Sequence, residues 1–269
     1  MEKKEIITTS KLNLLRKVAD DVKHIESEIY LNNDKVYKIF HDYEDDLGGY
    51  ISNKKRKIEM LLEEAPKDNG LIYPNKILLD ENNLFMGYSM NLFTPSKNLE
   101  SLPKEDYLLI IKVIKDICLY LKRLHEENKL IVDFNFNNIL YNKEDTRFCD
   151  ADSMVINNCP AEVIPLLLYR NNSIKIKEAP FEYYKENSIY TKESDVFELN
   201  YLLLSLFLRE DIIDLDLVSY RAYIKSLNLP LSIQKYLLSI HDMFYKNEEL
   251  IYPDNQLDEL SNYLKRKRH

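Results

Sequence analysis

The pattern of apolar residues changes from mainly strand-like to mainly helical near Asn91–Pro95, and this change limits the possible folds more than any other feature. Before it, apolar residues come in short alternating runs separated by turn residues. "VKHIESEIYL", a turn at Asn32, Asn33 and Asp34, and "KVYKIF" predict a hairpin within residues 20–40. "ISNKKRKIEMLLEEA" (51–65) predicts a helix that stops before Pro66. "NKILLDENNLFMGYSM" (75–90) predicts a second hairpin turning at "DENN". Beyond the change the spacing is mainly helical. "SLPKEDYLLIIKVIKDICLYLKRLHEEN" (101–128) reads as one long helix, with Ser101 as N-cap and Pro103 in the first turn. Its face of Leu108, Ile111, Val113, Ile114, Ile117, Leu121 and Leu124 is wide enough to be well buried. Two short strands are expected around 130–140 and 146–150. An irregular stretch follows over 153–190, then a central helix over 192–208 and further helices within 215–269. The expected class is α+β. A β-rich part with one main helix (1–92) and a larger helical part (93–269) together make one domain, which suits 269 residues.

Charge and cysteine use exclude several functions. The net charge of −8 repels a polyanion, so no nucleic-acid partner is expected. "KKRK" (54–57) and "KRKRH" (265–269) run against that average and read as a solvated helix face and a solvated tail. Cys118, Cys149 and Cys159 are odd in number and lack CxxC spacing, which argues against disulfides or zinc and suggests a reducing cytoplasm. The charged start "MEKKEIITTSKLNLL" does not read as a signal peptide, and no run reaches the ~18 apolar residues of a membrane span.

The chemistry concentrates in "LIVDFNFNNILYN" (130–142), where Asp133 is followed five positions later by Asn138 and then by an apolar strand. Twelve residues beyond Asn138, "FCDADSM" places Asp150 and Asp152 after an apolar pair. An acid after the apolar pair Phe148–Cys149 suits Mg²⁺, a hard cation that needs oxygen ligands. Earlier, Lys38 lies within an apolar strand, where an inward ammonium needs an anionic partner.

These segments, in this order, resemble the protein kinase superfamily from about residue 20 to about residue 210. "KVYKIF", the long helix ending in Leu124–His125, the Asp133–Asn138 loop, "FCDADSM", "EAPFEYY" (178–184) and "YTKESDVFELNYLL" (190–203) carry the resemblance. It implies a two-lobed kinase-like fold, ATP and Mg²⁺ as cofactors, and transfer of the γ-phosphoryl group to a Ser or Thr hydroxyl of a protein. By the same resemblance Lys38 would contact the α- and β-phosphates and pair with a helix glutamate, Glu59 or alternatively Glu63. Asp133 would be the base. Asn138 and Asp150 would hold the metal, with Asp152 as a second carboxylate beside it. Met90, ending the second hairpin, is a further candidate nucleotide contact. Asp195 would hydrogen-bond the backbone of the Asp133 loop. The resemblance is to divergent bacterial members and implies a bacterial source; the Lys-, Ile- and Asn-heavy composition suggests an AT-rich genome.

The chain departs from the family at several places. "DDVKHIESEIYL" carries no glycine where a phosphate-covering loop is expected, Ile131–Val132 replaces His-Arg, and Phe181 follows Ala179–Pro180. These departures keep open a pseudokinase scaffold with weak or absent nucleotide binding. An aminoglycoside- or choline-type small-molecule kinase is a further alternative, against which the "EAPF…ESDVF" region argues.

Overall fold

The computed structural model describes residues 3–18, 26–46, 49–103, 106–157, 159–161, 192–208, 217–227, 229–246 and 252–267. Among them the chain is mixed α+β, with seven α-helices and three sheets. The main sheet has six strands: β1 (Lys4–Ile6), β2 (Arg16–Lys17), β3 (Ser27–Asn32), β4 (Lys35–Phe40), β5 (Pro74–Leu79) and β6 (Phe85–Asn91). Their order is β1-β5-β6-β4-β3-β2; β1 pairs parallel with β5 and the other pairs are antiparallel.

Both predicted hairpins form. Asn32 pairs with Lys35 across the first turn, where Asn33 takes the left-handed conformation that asparagine tolerates. In the second, the Asp80 carboxylate accepts hydrogen bonds from the N–H groups of Asn82 (2.9 Å) and Leu84 (2.7 Å). Between the hairpins runs α2 (Tyr50–Glu63), after the short α1 (Thr9–Leu12). Gly49 precedes α2 with φ 77° and offers no side chain, so Asp46 caps it by accepting from Ile51 N at 2.7 Å.

α3 (Tyr107–Glu126) is the predicted long helix with a different start. Asp106, not Ser101, is its N-cap, accepting from Leu109 N at 3.2 Å. Ser101 instead ends a 3-10 turn, Leu99–Ser101, capped by Asn98. At the other end Asn128 adopts φ 56°, a left-handed stop of the kind that usually needs glycine.

The strand expected over 130–140 is interrupted. β8 (Lys129–Leu130) ends at once, because Val132 turns left-handed and Phe136–Asn138 forms a 3-10 turn before β9 (Ile139–Tyr141). β9 lies between β7 (Lys97–Asn98) and β10 (Thr146–Phe148), while β8 pairs with β11 (Val155–Ile156). The helices α4 (Lys192–Leu208), α5 (Leu217–Ser226), α6 (Leu231–Lys246) and α7 (Asp254–Lys267) complete the described chain. Residues 162–190, including "EAPFEYY", lie outside the described residues, as do 19–25 of the expected phosphate-covering stretch.

One apolar core runs through these elements. Ile58 and Leu61 of α2 join Phe40, Tyr88 and Met90 of the main sheet, Ile110, Ile114 and Ile117 of α3, and Leu199 and Leu202 of α4. Full burial of each aliphatic side chain contributes about 1.5–3 kcal/mol. A second cluster, with Tyr37, Ile39, Leu78 and Met86, lies on the opposite face of the sheet. Alternation along β4 therefore sends Tyr37 and Ile39 to one face and Lys38 and Phe40 to the face that α2 covers. None of the described helices is long and apolar enough to cross a membrane.

The backbones of β4 and β6 approach closely at Gly87, opposite Ile39. A Cβ added there would stand 1.9 Å from the carbonyl oxygen of Lys38. Gly87→Ala should therefore lower stability by about 1–3 kcal/mol through overpacking, as read by denaturant unfolding. A variant as stable as the parent would mean that the strands can part without cost.

Candidate functional site

On the face of β4 covered by α2, two ammonium groups and two carboxylates meet. Cys149 and Asp150 follow β10 directly, and Asp150 opens a 3-10 turn, Ala151–Ser153. This turn carries the Asp152 side chain inward to 0 % exposure. Lys38 Nζ donates to both carboxylates, to Asp152 Oδ1 at 2.7 Å and to Asp150 Oδ1 in a very short contact. Lys54 Nζ of α2 donates to Asp152 Oδ2 at 2.7 Å and lies 3.4 Å from Glu26. The hydroxyl of Tyr88, cross-strand from Lys38, donates to Asp152 Oδ1 at 2.8 Å. The rings of Phe40 and Tyr50 stand 5.2 and 4.7 Å from Lys54 Nζ and add cation–π attraction.

Burial opposes charge on all four groups, and the pairing decides the outcome. At Lys38 burial is outweighed by Asp150 and Asp152, which hold the ammonium above its usual range. Lys54 is likewise raised, chiefly by Asp152 against its own burial. Asp152 is buried too, but Lys38 and Lys54 together hold it well below the usual carboxylate range. Asp150 has one ammonium partner, Lys38, and a hydrogen bond from the Ser153 hydroxyl, but burial and the Asp152 charge push it up.

The loop bearing Asp133 is set by a different carboxylate. Val132 has φ 63°, costly for a β-branched residue, and Asp133 N donates back to Ile131 O at 2.7 Å. Asp195, fully buried near the start of α4, accepts from Ile131 N (2.7 Å), Val132 N (2.9 Å) and His125 Nε2 (3.0 Å). A proton on Nε2 leaves His125 Nδ1 to accept from the Tyr252 hydroxyl at 2.6 Å. The hydrogen bonds expected of Asp195 from the sequence are therefore present. Asn135 caps the next 3-10 turn through Asn137 N, and Asn138 Nδ2 donates to Asp133 Oδ2 at 2.8 Å. Asn138 O accepts from Cys149 N at 3.0 Å, which ties the loop to the residue before Asp150. Burial, and secondarily the Asp150 charge, raise Asp133 to about 6. Burial likewise raises the Cys149 thiol to about 12, so it is not a reactive thiolate.

The structure thus assembles Lys38, Asp133, Asn138, Asp150 and Asp152. Met90 lies buried in the core on β6, two residues beyond Tyr88. Glu59 is not assembled with them: its side chain is 44 % exposed and lies 4.0 Å from Lys55. Glu63 is also exposed. The inner face of α2 is Ile51, Lys54, Lys57, Ile58 and Leu61, so the glutamates fall on its other side. Asp152 does not suit a metal, because ammonium groups already take both of its oxygens. The reading of "KKRK" as a solvated face is corrected as well. Lys54 and Lys57 are 1 % and 0 % exposed, and Lys57 donates to the carbonyls of Met154 (3.3 Å) and Pro160 (3.2 Å). The sequence held a signal for Lys54, since Ile51, Lys54, Ile58 and Leu61 follow the spacing of one helix stripe.

Among the described residues no group of three His, Cys, Asp or Glu side chains could hold a metal ion. No protein-family model matches the chain, and no curated protein is significantly similar to it.

The raised Asp133 value has a stability consequence. With an unfolded value of 3.8 and a folded value of about 6, the native protein holds the extra proton between them, so stability falls as pH rises through this window. In chelator-containing buffer at about pH 7.5, Asp133→Asn should stabilise the protein, by on the order of 1–2 kcal/mol. The gain should fade toward about pH 3.5. Denaturant titrations at both pH values check this, and a destabilised variant at the higher pH would contradict it.

Proposed function

We propose that this chain is a protein kinase-like phosphotransferase with a two-lobed kinase-like fold, using ATP and Mg²⁺ to phosphorylate a Ser or Thr hydroxyl of a protein. One observation carries the reading. Lys38, Asp150 and the loop that carries both Asp133 and Asn138 come from three separate segments and converge, with Asp133 held on a strained loop by buried Asp195. Such strain is typically kept at functional positions.

In this reading Lys38 exchanges its bond to Asp150 for the phosphates of the nucleotide. Asp133, raised to about 6, is ionised at neutral pH yet basic enough to accept or orient the proton of an attacking hydroxyl. Donation by Asn138 Nδ2 to Asp133 leaves the Asn138 amide oxygen available. That oxygen and Asp150 form an oxygen donor set that fits Mg²⁺, an ion that commonly keeps several waters and takes only one or two carboxylates. Bound there, Mg²⁺ would neutralise phosphate charge. Catalysis would rest on positioning and electrostatics.

A scaffold with weak or no nucleotide binding is the second reading. The observation favouring it is that two carboxylates already neutralise Lys38, so a nucleotide must displace an internal ion pair.

Thermal unfolding with and without millimolar ATP and Mg²⁺ separates the two. Ligand at a hundredfold excess over Kd stabilises by about 2.7 kcal/mol. The midpoint should rise only when Mg²⁺ is present, and Asp150→Ala should remove the Mg²⁺ dependence. Asp133→Ala should abolish phosphoryl transfer to a generic protein acceptor and leave nucleotide affinity unchanged. No shift in the parent protein would favour the scaffold, and transfer by Asp133→Ala at the parental rate would overturn the assignment of the base.

A further inference from the structure

Helix α2 presents cations to the lysine of β4, and the carboxylate between them comes from the turn after β10. We propose that Asp152, rather than a glutamate of α2, is the counter-ion that positions Lys38 for an anionic ligand, and that Lys54 and Tyr88 position Asp152. The inference rests on reading this cluster as a nucleotide site, and it concerns how the site is held.

Asp152 Oδ1 accepts from Lys38 and Tyr88, and Oδ2 accepts from Lys54. Donors from β4, β6 and α2 therefore fix both the place and the rotation of the carboxylate. All four side chains are buried, so the contacts are little screened by solvent. Lys38 has a second partner in Asp150, whose side chain is partly exposed. The bond to Asp150 is the one a phosphate can replace, while the bond to Asp152 keeps the ammonium aimed.

α2 also grips the chain beyond Asp152. Asn53 Nδ2 donates to Pro160 O at 3.2 Å, and Lys57 donates to Met154 O and Pro160 O. The helix and the 150–160 segment thus share polar contacts at several points, and a shift of α2 would carry Asp152 with it. Glu59 and Glu63 face away and take no part.

The test uses the full chain and Mg·ADP as the probe, with affinity read by calorimetry well below each variant's unfolding midpoint. A residue that only holds the fold together would lower the midpoint without changing this affinity. Asp152→Asn and Lys54→Met should each weaken binding by about tenfold or more, as loss of a ligand-orienting partner does. Their combination should be no weaker than Asp152→Asn alone. Tyr88→Phe, which removes a single hydroxyl, should weaken binding less while staying folded. Glu59→Gln should bind as the parent does. Parental affinity in both Asp152→Asn and Tyr88→Phe, or a loss in Glu59→Gln, would overturn the proposal.

A second readout needs no nucleotide. Unfolding midpoints of Lys38→Met and Asp152→Asn should be non-additive in the double variant, and those of Lys38→Met and Glu59→Gln additive. If the parent binds no Mg·ADP, the phosphotransferase reading fails and these cycles alone decide. Non-additivity with Asp152 supports it as the counter-ion, and additivity overturns that role.

Discussion

The ammonium groups of Lys38 and Lys54 are tolerable in the interior because carboxylates meet them there, with Asp152 between the two and Asp150 beside Lys38. An isolated charge of this size moved to a dry interior would cost on the order of 20 kcal/mol, and breaking a buried pair by removing one partner costs about 3–5 kcal/mol. The main sheet, α2 and the turn after β10 each supply one part of this cluster. Their mutual placement is therefore specified by charge as well as by the apolar contacts of Ile58, Leu61 and Phe40. An apolar interface alone would let α2 slide or rotate by small amounts. A carboxylate bonded on both oxygens allows much less.

Asp195 does for the backbone what Asp152 does for side chains. Its carboxylate accepts two consecutive N–H groups at the left-handed Val132 and a third hydrogen bond from His125. These bonds offset the strain of the turn and leave Asp133 projecting from a fixed base. Each of these buried carboxylates orders a segment that has little regular structure of its own. Asp133, bonded by Asn138, and Asp150, bonded by Lys38 and Ser153, lie between those two ordered points. Burial, and secondarily the neighbouring Asp150 charge, set the Asp133 carboxyl at about 6.

Much of the framework was legible in the residues. Turn residues at 32–34 and 80–83 and the apolar spacing of the long helix led to elements close to those observed. Asp133, Asn138, Asp150 and Lys38 were recognisable because acids, amides and lysines are conspicuous within apolar runs. Element ends were less legible. Ser101 and Asp106 are both good helix caps by type, and the choice fell to Asp106 because Ser101 closes the turn capped by Asn98. The break after Leu130 was hidden, because Ile131 and Val132 have high strand propensity and only Asp195, over sixty positions away, makes the turn affordable.

The sequence by itself determined the periodicities, and with them the helices, the hairpins and the residues able to carry charge into the core. Those properties are local, since they depend on neighbours one to four positions apart. Only the tertiary structure decided which charges pair. Lys38 had Glu59, Glu63, Asp150 and Asp152 as partners of equal chemistry, and the rotation of α2 against the sheet settled the choice. That rotation turned Lys54 inward and Glu59 outward, because Ile51, Ile58 and Leu61 had to be buried and Lys54 shares their stripe. Pairing energy falls steeply with distance and burial, and both are properties of the packed chain.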